Sequence, residues 1–155
     1  MTCQISRDLF QYSWLDGPTK IYKTEGLSSG EPSRTELATL DRCVEYFSLA
    51  VNLISYIYLS GGINTDNVRS NRVQRLDTLT GSLLEMPALI QARDSHSSIA
   101  INKKLYAFGG MNDDRECEPS VEILDLVRKK AWEKLLEHPS VARRVASVKS
   151  INHEK

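Results

Sequence analysis

The 155-residue chain is 41% hydrophobic and 26% charged, and its 20 lysines and arginines balance its 20 aspartates and glutamates. One domain of this size buries about two-thirds of its unfolded surface. The charge is scattered, so neither a nucleic-acid groove nor a membrane-surface patch is expected. Cys3, Cys43 and Cys117 form no C-x-x-C pair, which argues against a disulfide framework or structural zinc and for a reducing, cytoplasmic setting. Residues 1–8 lack the basic start and apolar core of a signal peptide. The longest apolar stretch, Phe47 to Leu59, is too short for a membrane span and is broken by Ser48, Asn52 and Ser55.

In residues 1–39, Tyr12-Ser13-Trp14 reads as the tail of a further copy of the repeat described below. The stretch from Gly17 to about Leu37, rich in Gly, Ser, Pro and charge, reads as an irregular insertion. Beyond it the sequence repeats. Gly61-Gly62 recurs 48 residues later as Gly109-Gly110, and the same offset pairs Tyr58 with Tyr106, Asn64 with Asn112, Asp66 with Asp114, Val73 with Val121, Leu76-Asp77 with Leu124-Asp125, and Glu85 with Glu133. Chance at ordinary residue frequencies supplies about two such matches. Upstream, Ser48–Asn52 aligns with Ser98–Asn102 at an offset of 50, which implies two extra residues in the first copy around Leu53 to Ser55.

Each copy predicts four short strands in chain order. Strand one is Phe47–Val51 or Ser97–Ile101, and strand two is Tyr56–Ser60 or Lys104–Phe108, ending at the glycine pair. A polar loop follows, Asn64–Asn71 or Asn112–Pro119. Strand three is Val73–Leu76 or Val121–Leu124, closed by Asp77 or Asp125, and strand four is Leu83–Met86 or Ala131–Leu135. Alternation of apolar and polar residues with turn chemistry between the runs supports this reading. Val127–Glu137 is helical by local propensity, but the 48-residue periodicity assigns it to a turn and a strand.

Taken together these residues resemble the kelch repeat. The second copy supplies the opening Ala92-Arg93-Asp94-Ser95-His96-Ser97-Ser98, the aromatic strand Leu105-Tyr106-Ala107-Phe108 with Gly109-Gly110, the strand Ser120–Asp125, and Trp132. The first copy is weaker, with Leu84 where Trp132 would fall and Arg42 one residue out of register. A third copy begins at Ala142-Arg143 and runs to Ile151-Asn152. The resemblance implies an all-β fold: kelch-type β-propeller blades of four antiparallel strands, two of them near-complete, with partial blades at both ends. The expected divisions are an N-terminal segment at 1–39 (a partial blade plus insertion), blades at 40–90 and 91–138, and the first strand of a third blade at 139–155.

The motif positions Gly61, Gly62, Asp77, Arg93, Tyr106, Gly109, Gly110, Asp125 and Trp132 are then structural: close backbone approach for the glycines, a buried polar contact for Arg93, packing between blades for Trp132. Loops held by a rigid sheet are the usual place for recognition. This singles out Asn64, Asp66, Arg69 and Arg72 in the first loop and Asn112, Asp113, Asp114, Arg115 and Glu116 in the second, with Glu118 beside them. The expectation is a scaffold or adaptor that binds a protein partner, as in kelch-type substrate receptors of ubiquitin ligases; since two blades leave apolar faces open at both ends, the chain is expected to be a fragment of a longer propeller, a truncated gene product or, if not a fragment, a subunit that self-associates. The alternative is a propeller enzyme acting on a sugar or small carbonyl compound, which needs a converging set of polar or metal-binding residues. His96, His138 and His153 have no ligand spacing, residues 112–118 lack the alternation of a calcium loop, the glycine pairs lack a Gly-Lys-Ser/Thr ending, and no Gly-x-Ser-x-Gly elbow occurs. No catalytic residue, cofactor or metal is therefore expected.

Overall fold

A computed structural model describes residues 2–5, 8–13, 18–26, 30–40, 44, 45, 47–51, 55–128 and 130–137, and the statements below concern those. The third-copy segment 139–155, Trp14, Arg42, His138 and His153 lie outside them.

Three four-stranded antiparallel sheets follow one another along the chain. The first contains β1 (Thr2–Ile5), β2 (Asp8–Ser13), β3 (Lys20–Glu25) and β4 (Ser33–Thr39) as a simple meander. Next come β5 (Val44–Glu45), β6 (Ser48–Val51), β7 (Tyr56–Ser60), β8 (Ile63–Asn64), β9 (Val73–Asp77) and β10 (Leu83–Met86). Here β6-β7-β9-β10 form blade 1, while β5 and β8 pair as a small ribbon beside it. Blade 2 is β11 (Ser97–Ile101), β12 (Lys104–Phe108), β13 (Ser120–Asp125) and β14 (Glu133–Glu137). The two repeats therefore form four-stranded blades with the expected strands, and Val127–Glu137 is turn and strand despite its helical propensity.

The N-terminal region departs from expectation. Residues 20–25 and 33–39, read from sequence as part of an irregular insertion, are two full strands. Their pattern is hard to see because most of β4 is exposed and only Ile21, Ala38 and Leu40 go into the core. The opposing charges stabilise the strands from outside, Lys20 with Glu36 at 2.9 Å and the Arg34 guanidinium 3.9 Å from the Tyr22 ring centre. Such exposed pairs are screened by solvent and contribute little to stability.

Strand pairing also corrects the alignment of the repeats. Ser48 stands opposite Ser60, and Ser97 opposite Phe108, so Ser48 matches Ser97 rather than Ser98, and the first copy carries one extra turn residue rather than two. Likewise Leu84 faces Arg75 as Glu133 faces Ile123. Leu83, one residue earlier, is therefore the counterpart of Trp132. Accordingly Leu83 packs against the core while Leu84 is exposed.

The sheets stack with their first strands side by side, β1 nearest β6 and β6 beside β11. The first sheet meets blade 1 through Ile21, Ala38, Leu40, Phe47, Ile57, Leu59 and Leu76. Blade 1 turns its other face, with Ala50, Tyr58, Val73 and Met86, onto Leu105, Ala107, Leu124 and Trp132 of blade 2. The strands of blade 1 thus meet a neighbouring sheet on both faces, because alternate residues point to opposite neighbours. Trp132 bridges the joint directly, its indole Nε1–H donating to the Pro87 carbonyl at 2.7 Å. Trp132→Ala is expected to cost about 3–5 kcal/mol and Leu84→Ala less than about 1 kcal/mol, as read from urea unfolding midpoints; equal effects would contradict the one-residue shift.

Candidate functional site

The joint between the blades is built on the segment Gln91–His96, and Arg93 at its centre is completely buried. Its guanidinium stays inside blade 2. Nη1 donates to the Gly109 carbonyl at 2.9 Å, and Nη2 donates to Ser120 Oγ at 2.8 Å and forms a tight ion pair with Glu122. Glu122, equally buried, accepts in addition from the backbone N–H groups of Ile90 and Gln91 at 2.7 and 3.1 Å. Satisfying nearly every lone pair in this way is what makes a buried ion pair tolerable. The main chain of Arg93 reaches the other way, its N–H to Ser70 and its carbonyl to the Gly62 N–H in blade 1, at 3.2 and 2.9 Å.

Both glycine pairs close on this segment. A Cβ on Gly61 would stand 2.3 Å from the Arg93 carbonyl oxygen and 2.6 Å from His96 Cε1; one on Gly110 would stand 2.5 Å from the Asp94 carbonyl oxygen. These residues also adopt positive φ, so the pairs answer to backbone approach rather than to ligand chemistry. Next to them Asp94 pairs with Arg69 across the joint, Nε to Oδ2 at 2.7 Å, with both side chains under 10% exposed. His96 is buried between the glycines, its Nε2 2.8 Å from Ser60 Oγ. Burial first, and the positive charge of Arg93 second, lower its pKa to about 3, so the ring is neutral at pH 7.

The two recognition loops share one geometry. Asn64 Oδ1 accepts from the N–H groups of Asp66 and Val68 at 3.0 and 2.8 Å, and Asn112 Oδ1 accepts from Asp114 and Glu116 at 3.1 and 3.0 Å. Asn67 and Arg115, 48 residues apart, both have φ 61°. The backbone bonds Asn64 N–H to Val68 and Asn112 N–H to Glu116 repeat as well. One Asx-anchored turn therefore carries two different tips, and the tips are exposed: Asp66 and Val68 on one, Asp113, Asp114, Arg115 and Glu116 on the other.

The remaining expected loop residues sit differently. Arg69 is consumed by Asp94, Arg72 is paired with Glu85, and Glu118 is buried and accepts from the Ser120 N–H at 3.0 Å. Asp77 and Asp125 lie at the far end of strand three and are not near the loops. Each carboxylate accepts two backbone N–H bonds, for Asp77 from Leu79 and Thr80, for Asp125 from Arg128 and Val127, which lowers its pKa. Tyr106 stacks with Phe108 at 6.0 Å on the face of blade 2 turned away from blade 1. Glu122 was missed from the sequence. Its signal was an acid alternating with Ser120 and Leu124 on one face of a strand, where a charge must have a partner. Among the described residues no group of three or more His, Cys, Asp and Glu side chains could hold a metal ion.

Residues 92–135 match the kelch motif. An F-box/kelch-repeat protein of Arabidopsis thaliana is 33% identical over 91 residues, which cover 58% of this chain and 23% of that protein. A putative F-box/kelch-repeat protein of the same plant is 30% identical over 108 residues, 69% of this chain and 29% of that protein. The solved structure of YjhT superimposes with a TM-score of 0.73 at 16% identity over 89% of this chain and 50% of that one. That coverage exceeds what the two repeats alone could supply, so it takes in the N-terminal sheet. The chain is a kelch motif-containing protein with propeller-blade architecture, and it spans about a quarter of the length of the curated relatives it matches.

Folded His96 takes up its proton near pH 3, whereas the unfolded chain does so near 6.5. As pH falls below 6.5 the unfolded state therefore binds the additional proton, and stability drops by about 2 kcal/mol between pH 6.5 and 5. Asp77 and Asp125, with lowered pKa, add their own loss only on approaching their ordinary value of 3.8. Denaturant unfolding at pH 7 and 5 is expected to show this slope in the wild type and not in His96→Gln. In the loops, Arg115→Gly is expected to raise stability by about 0.5–1 kcal/mol by relieving a positive φ. Gly110→Ala, at a position with no room, is expected to cost more than about 3 kcal/mol.

Proposed function

We propose that this protein is a non-enzymatic adaptor that captures a protein partner on the paired loop tips 64–69 and 112–117. The observation that carries the reading is the repetition of one rigid turn with divergent exposed side chains. A fixed backbone presents variable chemistry at a constant spacing, which is how scaffolds diversify recognition. The similarity to F-box/kelch-repeat proteins supports an adaptor, and a substrate receptor of a ubiquitin ligase is the specific form that similarity suggests.

Charge bookkeeping refines the partner. The arginines that balance the loops in sequence, Arg69 and Arg72, are bound to Asp94 and Glu85. The exposed tips then hold Asp66, Asp113, Asp114 and Glu116 against Arg115 alone, which favours a basic partner surface and a salt-sensitive on-rate. For the enzyme alternative the nearest arrangement is the Ser60–His96 contact. Ser60 is 1% exposed and the imidazole is a poor base, so no substrate route supports it.

Affinity capture followed by quantitative mass spectrometry tests this, comparing wild type with the triple variant Asp113→Lys, Asp114→Lys, Glu116→Lys and with a control, Leu79→Ala, in an exposed turn away from the loops. The same partners should be retained by the control and lost, by tenfold or more, in the triple variant. Retention by all three would place recognition elsewhere and sink the proposal.

A further inference from the structure

The two blades end differently on the side opposite the loop tips. There a turn built on Asp77 or Asp125 joins strands three and four. Each carboxylate accepts from two backbone N–H groups, those of Leu79 and Thr80 or of Val127 and Arg128, at distances between 2.9 and 3.1 Å. The turn between strands one and two lies against it: Thr78 N–H donates to the Ser55 carbonyl and Leu126 N–H to the Lys103 carbonyl, both at 2.9 Å. Leu79 and Val127, at the crowns of these turns, are 77% and 69% exposed. One scaffold is thus used twice. In blade 1, where a further sheet follows, Leu79, Thr80 and Ser82 are all exposed. Exposure therefore belongs to the turn itself and does not depend on what packs against the face of the sheet.

The chemistry on that scaffold differs between the blades. Residues 78–82 of blade 1, Thr-Leu-Thr-Gly-Ser, carry no charge. Blade 2 sets Lys103, Arg128 and Lys130, all exposed, beside Val127. Asp125 does not cancel them, because it accepts the two turn N–H groups and stands across the strand pair from Lys104. Its Oδ2 is 4.0 Å from Arg128 Nε, beyond hydrogen-bond reach, and the Arg128 side chain is 79% exposed. That guanidinium is open to a further carboxylate. Glu133 is the acid that remains beside Arg128 and Lys130. Lys103 is also strained. It and Asn102 have φ 60° and 50°, the hairpin turn that prefers Gly at its second place. An exposed lysine held there adds nothing to the core, as is usual for side chains kept for contact. The acidic tips 112–117 lie at the other end of β13, whose six residues span about 20 Å. That exceeds the Debye length of about 8 Å at physiological salt, so the two charged ends act separately.

We infer that the Val127 turn of blade 2 is a second docking surface, which takes an acidic protein segment with an apolar side chain between its carboxylates. The apolar side chain rests on Val127 and the carboxylates meet Lys103, Arg128 and Lys130. A nucleic-acid backbone or an anionic bilayer fits less well, since it brings unbroken negative charge against Glu133 and gains little from one exposed valine. The surface is independent of the loop tips and of what they bind. Fluorescence anisotropy with a fluorescein-labelled Glu-Glu-Leu-Glu-Glu peptide tests it on the 155-residue chain. Saturable binding is expected, weakened about tenfold by Lys103→Glu with Arg128→Glu and about threefold by Val127→Ser. Leu79→Ser in the uncharged turn, the loop variant Asp113→Lys, Asp114→Lys, Glu116→Lys, and a charge-matched control, Lys20→Glu with Arg34→Glu on the first sheet, should leave binding unchanged. Circular dichroism confirms folding; if the Lys103, Arg128 variant does not fold, Arg128→Ser at its exposed turn position takes its place. Three results overturn the proposal. They are no saturable binding to the wild type up to about 1 mM peptide, equal weakening in the charge-matched control, or tighter binding at this turn of phosphatidylserine vesicles or a single-stranded oligonucleotide than of the peptide.

Discussion

The joint between the blades is organised around a charge that has no access to water. Moving a guanidinium into a low-dielectric interior costs several kcal/mol unless an acid and further hydrogen-bond partners meet it there, and Arg93 is met by Glu122, Ser120 and the Gly109 carbonyl. Those partners fix the path of Gln91–His96. That path in turn fixes the neighbours: the Arg93 and Asp94 carbonyls lie where the Cβ atoms of Gly61 and Gly110 would be. The glycine pairs are thus a consequence of the ion pair's position. The main chain of Arg93, bonded to Gly62 and Ser70, then holds one blade against the next.

Blade 1 shows what happens where this constraint is absent. Pairing of Glu45 with Ile63 corresponds to the bridge between Asp94 and Met111, which places Val44 at the position of Arg93. The β9 counterpart of Glu122 is Gln74. Both members of the pair are replaced together, and this is the combination that physics favours: loss of one partner alone leaves an uncompensated buried charge, whereas loss of both is close to neutral. Gln74 instead donates to Glu85 at 2.7 Å, which also receives Arg72. The weaker kelch pattern of the first copy is therefore a different but self-consistent arrangement of polar partners.

Most of the blades was legible because their signals are long-range and repeated. Tyr56–Ser60 and Lys104–Phe108 each end at a glycine pair, and the 48-residue period overruled the helical propensity of Val127–Glu137. What failed was register. Single-residue insertions in the β6–β7 turn of the first copy and in the β13–β14 turn of the second move Ser48, Leu83 and the Arg93 counterpart by one or two places, and only hydrogen-bond pairing fixes them. The N-terminal sheet was illegible for another reason. Among its described side chains β3 buries only Ile21 and Thr24 and β4 only Ala38, and a strand with so short a buried side carries little periodicity. At the candidate site, sequence located the loops but not which charges remain free, since the pairing of Arg69 with Asp94 joins residues 25 apart through the packing of two blades.

That last point bears on how such a surface can change. The loop backbone is held by Asn64 and Asn112 through bonds to their own turns, and the stems are tied by Ser70 to Gly62 and Glu118 to Gly110. None of these contacts involves the side chains at the tips. Thr65 can differ from Asp113, and Asn67 from Arg115, without altering the stem, at a cost limited to the φ strain of a non-glycine residue. Recognition chemistry and structural chemistry are therefore carried by separate atoms within each loop of six residues. The arginine at position 69 marks the boundary between them: its neighbour Val68 is free to vary, while its own charge is committed to Asp94 and hence to the joint. A substitution at Val68 changes what the surface presents; a substitution at Arg69 changes how the blades meet.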